Sequence, residues 1–106
     1  MVAEAAPLTN AGQAPSVFVD LARSIVKRQE QIIGPLAVEQ ANSVPHFHID
    51  PSSMEVEMTG NPQSILESLV EQYRDFFGRA AVEVCKEVVA QFASKISPDQ
   101  LPKSLQ

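Results

Sequence analysis

The sequence predicts a mainly α fold of the α+β class: a kinked long helix, a β-hairpin, then two amphipathic helices packed on the hairpin and the first helix. Three observations predict it. Apolar residues recur with helical period in three stretches. They alternate with polar residues, as in strands, in "HFHID" and "MEVEM". Gly34-Pro35, Asn61-Pro62 and Gly78 stand where a helix should turn, start or stop.

Ser16 is placed to cap the first helix. Behind it Phe18, Leu21, Ile25, Ile32 and Leu36 form an apolar stripe, widened by Val17, Val26, Ile33 and Ala37 and broken by polar residues from Lys27 to Gln31. Pro35 lacks a backbone donor and crowds the carbonyl of Gln31, so the helix must bend or stop there. The stripe keeps its phase through Leu36 and Ala41, which favours a kink over two separate helices.

Pro45 closes this segment, and "PHFHIDPSSMEVEMTG" follows with a period of two. Phe47, Ile49, Met54, Val56 and Met58 fall on one face; His46, His48, Asp50, Glu55 and Glu57 fall on the other. Asp50-Pro51-Ser52-Ser53 has the residue types of a type I turn. Pairing residue 50 with 53 sets Phe47 against Val56, Ile49 against Met54, His48 against Glu55 and His46 against Glu57. A slip of one residue would mix the two faces.

Asn61 as N-cap and Pro62 at the first helical position start the next helix. Its stripe is Ile65, Leu66, Leu69, Val70, Tyr73, Phe76 and Phe77, with Gly78 as a left-handed C-cap. The last helix, "RAAVEVCKEVVAQFASK", shows Ala81, Val84, Cys85, Val88, Val89 and Phe92 on one face and stops before Ser97-Pro98. The expected organisation is a disordered lead over 1–15, one α-β-β-α-α domain over 16–96, and a short turn and tail over 97–106 with little to bury.

Composition excludes several functions. Of 106 residues, 44% are apolar and 20% charged, a globular balance, and no apolar run suits a spanning helix. The first fifteen residues lack the basic and apolar regions of a secretory signal. The single Cys85 fits a reducing compartment, and a cytoplasmic location is expected. A net charge of −5 opposes nucleic-acid binding. The few Lys and Arg also argue against a membrane-surface helix over 16–42.

The chemistry-bearing candidates are His46, His48, Glu55 and Glu57. Two imidazoles and two carboxylates on one strand face are the right donors for a divalent ion, and a Glu facing a His makes a pH-sensitive contact. The plainer reading is a solvated hairpin face with cross-strand His–Glu pairs. The string H-x-H-x-D resembles the metal motif of the metallo-β-lactamase fold. Pro51 stands where that motif has its next His, and 106 residues are too few for that fold, so the resemblance is set aside. Cys85 lies among valines and reads as an inert buried thiol. Tyr73, Phe76, Phe77 and Phe92 read as core, with the Tyr73 hydroxyl needing a partner.

No Gly-rich phosphate loop, zinc-protease motif or Cys pair is present, and no cofactor is implied. The expectation is a non-enzymatic cytoplasmic module that forms a homodimer or larger homo-oligomer, or docks on a protein partner. The wide apolar stripes and the two open hairpin edges suggest it, with Phe18, Leu21, Ile25, Ile32, Phe47 and Ile49 as interface candidates. The alternative is a small-molecule or divalent-metal-binding protein using the His/Glu face of the hairpin.

Overall fold

The computed structural model describes residues 16–102 and Leu105; the disordered lead expected over 1–15 lies outside the described residues. The elements are α1 (Ser16–Ile33), α2 (Leu36–Ala41), β1 (Phe47–Ile49), β2 (Val56–Met58), α3 (Pro62–Phe77), α4 (Arg79–Ala90) and a 3-10 turn at Pro98–Gln100. The molecule is mainly helical, with one small antiparallel two-stranded sheet. Leu21 and Ile25 of α1, Ile49 of β1, Met58 of β2, Leu66 and Leu69 of α3 and Cys85 of α4 meet in one core. No helix among the described residues is long and apolar enough to cross a membrane.

The single kinked helix expected at the start is two helices. Gly34 turns left-handed at φ 76 and its N–H donates to the carbonyl of Glu30 (2.9 Å), which ends α1. Pro35 then sits just before α2, where its missing N–H costs nothing. A glycine with positive φ followed by proline is a full helix stop, and it overrides the phase continuity of the stripe. The break has a visible effect: Ile32 and Leu36, both expected on the packed stripe, are 57% and 45% exposed.

The hairpin forms, but in a register two residues from the expected one. Phe47 pairs with Met58, His48 with Glu57 and Ile49 with Val56. The turn explains the shift. An Asp50 carboxylate oxygen accepts from the amides of Ser52 (2.7 Å) and Ser53 (3.1 Å), and the Asp50 carbonyl accepts from Met54 N–H (2.7 Å). Met54 is left-handed at φ 63, and Arg23 Nε donates to its carbonyl (2.8 Å). Together these bonds close a four-residue loop, Pro51 to Met54, in place of the two-residue turn. Because the shift is even, the buried and exposed faces survive it.

The outer edge of β1 is not open as expected. The Asn42 side chain, just past α2, accepts from Ile49 N–H (2.8 Å) and donates to the Ile49 carbonyl (3.1 Å), much as a third strand would.

The helix start at Asn61 is as read from the sequence: its side chain accepts from Ser64 N–H (3.1 Å), with Pro62 first in α3. Gly78 closes α3 by donating to Arg74 (2.8 Å) and opens α4, but at φ 81, ψ −168 it sits in a region only glycine populates, not the left-handed helical one. The last helix is shorter than expected. After Ala90 the chain tightens into three-residue turns, with Phe92 N–H donating to Val89 (2.8 Å) and Lys95 to Phe92 (2.9 Å).

The tail also buries more than expected. Leu101 and Leu105 are each 5% exposed, Pro102 is fully buried, and Gln63 Nε2 ties the segment to α3 through the carbonyl of Leu101 (2.7 Å). The segment has no helical or strand period to announce it; Leu101 and Leu105, on either side of Pro102, do the packing.

Candidate functional site

The polar hairpin face is built by the ladder just described. His48 faces Glu57, His46 stands opposite Thr59, and Glu55 stands opposite Asp50. The expected pairs His48–Glu55 and His46–Glu57 are therefore not formed. All four side chains are exposed. Among the described residues no group of three or more His, Cys, Asp or Glu is arranged to hold a metal ion. A strand face is flat, and ligands on it diverge unless another element closes over them.

Two features set His46 apart from its neighbours. Its φ of 65 is left-handed, and its carbonyl accepts from Thr59 N–H (3.1 Å). Histidine tolerates this region better than most residues. It also borders two shallow open grooves: one of about 270 Å³ running past His48 and Glu57, and one of about 430 Å³ running past Asn61 and Ile65. Beyond the turn, the amides of Ser53 and Ser52 hold the Asp50 carboxyl below the ordinary carboxylate range, and His48 adds to this.

The six interface candidates divide sharply. Phe18, Leu21, Ile25, Phe47 and Ile49 lie in the chain's own core, between 0% and 7% exposed. Only Ile32 faces solvent, and it has company: Leu36 and Phe76, the latter 61% exposed. Phe76 was expected in the core. Ile32 and Leu36 flank the Gly34-Pro35 break and Phe76 precedes the Gly78 break, and two hydrogen bonds bring these breaks near each other. Tyr73 Oη donates to the Ala37 carbonyl (2.7 Å), which sets the end of α3 beside the start of α2. Gln29 Nε2 donates to the Ala81 carbonyl (2.9 Å), which sets the end of α1 beside the start of α4. Ile32 is one turn beyond Gln29, and Phe76 one turn beyond Tyr73. Phe77 packs against the core beneath Phe76, their ring centroids 6.3 Å apart.

A small polar knot lies under this end. Gln29 is 1% exposed and also donates to Cys85 Sγ (3.6 Å). Burial pushes the Cys85 thiol up to about 11, the Gln29 bond pulling the other way, so it is neutral and unreactive near pH 7. Burial likewise raises the Tyr73 phenol above its ordinary value. Gln29 was read only as part of a polar break. The signal was there: it lies four residues after Ile25 and three after Val26, on the apolar stripe. Asn42, the other missed residue, left no such trace.

Set against models of known protein families, curated proteins and solved structures, the chain matches none.

Proposed function

We propose that this chain is a non-enzymatic interaction module that associates with protein, first of all with a second copy of itself, through the apolar end carrying Ile32, Leu36 and Phe76. The observation that supports it is the exposure of these three large side chains beside the two helix breaks, where Ile33 and Phe77 are only partly buried. Single exposed apolar residues need no explanation, whereas a group at one end of a small domain does. The acidic net charge favours protein over nucleic acid as the partner.

The test is absolute mass by light scattering over a range of concentrations, for the natural chain and for the double variant Ile32→Asp, Phe76→Asp. The chain mass is 11.5 kDa. A larger species that the variant reduces to one chain, with unchanged thermal unfolding, is the expected outcome. A monomer throughout, with no protein captured at this end, sinks the proposal.

A second reading assigns ligand binding to the His/Glu face, on the strength of left-handed His46 and the two grooves it borders. Zinc titration followed by calorimetry separates the two. Heat that disappears in the variant His46→Ala, His48→Ala favours the ligand site; no heat in the natural chain removes it.

A further inference from the structure

We draw no further inference here: the strongest candidate, the apolar end formed by Ile32, Leu36 and Phe76 where the two helix reversals meet, is the surface already used for the proposed function, and nothing in the structure shows what covers it.

Discussion

The polar hairpin face and the apolar helix end make an instructive pair. The first attracts attention in the sequence because His and Glu are chemically versatile; the second is ordinary leucine, isoleucine and phenylalanine. In three dimensions the interest reverses. Exposed His46, His48, Glu55 and Glu57 are what a hairpin shows to water, and although the ladder sets His48 beside Glu57, no metal-holding group of three forms among the described residues. Ile32, Leu36 and Phe76 are the residues left without an account from the fold alone. A polar side chain on the surface is the default, so a residue's versatility is weaker evidence of a site than the exposure of a residue that ought to be buried.

The largest effect expected from sharpening this contrast comes from truncating a large apolar side chain to alanine at two depths. Leu21→Ala, at 0% exposure, should lower stability by about 2–5 kcal/mol in urea unfolding. Phe76→Ala, at 61% exposure, should change it by no more than about 0.5 kcal/mol. A comparable loss at Phe76 would mean that it is packed and that the apolar end is not a surface at all.

The reversals come next. Gly78→Ala should cost roughly 1–3 kcal/mol, because alanine cannot adopt its backbone angles without strain. The space around it is open, so strain rather than a clash sets the cost. At the hairpin, His46→Ala replaces a residue that already carries a Cβ at φ 65, so it should cost less than Gly78→Ala, about 1 kcal/mol at most. Thermal melts of the two variants side by side would break the comparison if their losses were equal.

The smallest effect is a slope against pH. The Cys85 thiol ionises near 9.0 when unexposed to the fold's burial and near 11 within it. Its contribution is therefore complete below pH 9 and is lost as pH rises toward 11, at about 1.4 kcal/mol per pH unit at most. The raised Tyr73 phenol steepens the loss above pH 10. Cys85→Ala should flatten the stability curve between pH 9 and 10; an unchanged slope there would show that the thiol does not titrate as its burial implies.

What could be read from the sequence followed local physical rules. Asn61-Pro62 marked a helix start because capping is decided within four residues, and the strand alternation marked both hairpin faces because side chains alternate strictly. The register escaped because the residue types of Asp50 to Ser53 fit a two-residue turn, whereas the loop closes only at Met54. The left-handed backbone there, and the bond from Arg23 thirty-one positions away, leave no local mark in the sequence. The stop at Gly34-Pro35 is visible in the sequence, but the apolar stripe keeps its phase across it and so hides how complete the break is. The tail escaped because Leu101 and Leu105 bury themselves without any period. Of the candidate site, the face of His46 and His48 was legible and the apolar end was not. A stripe shows which residues are apolar, but where a stripe outruns its partner is settled only when the neighbouring helices are laid beside it.

The Asn42 side chain has one more consequence. A bare strand edge is a template on which another chain can add, and the shortness of a three-residue strand already limits this. Here the amide of Asn42 occupies both hydrogen-bonding groups of Ile49, the last residue of that strand, from a position only seven residues away. An incoming strand would have to displace it. One side chain thus covers the end of this edge, a cover that Asn42→Leu, which puts methyl groups in place of both the amide oxygen and the amide nitrogen, would remove.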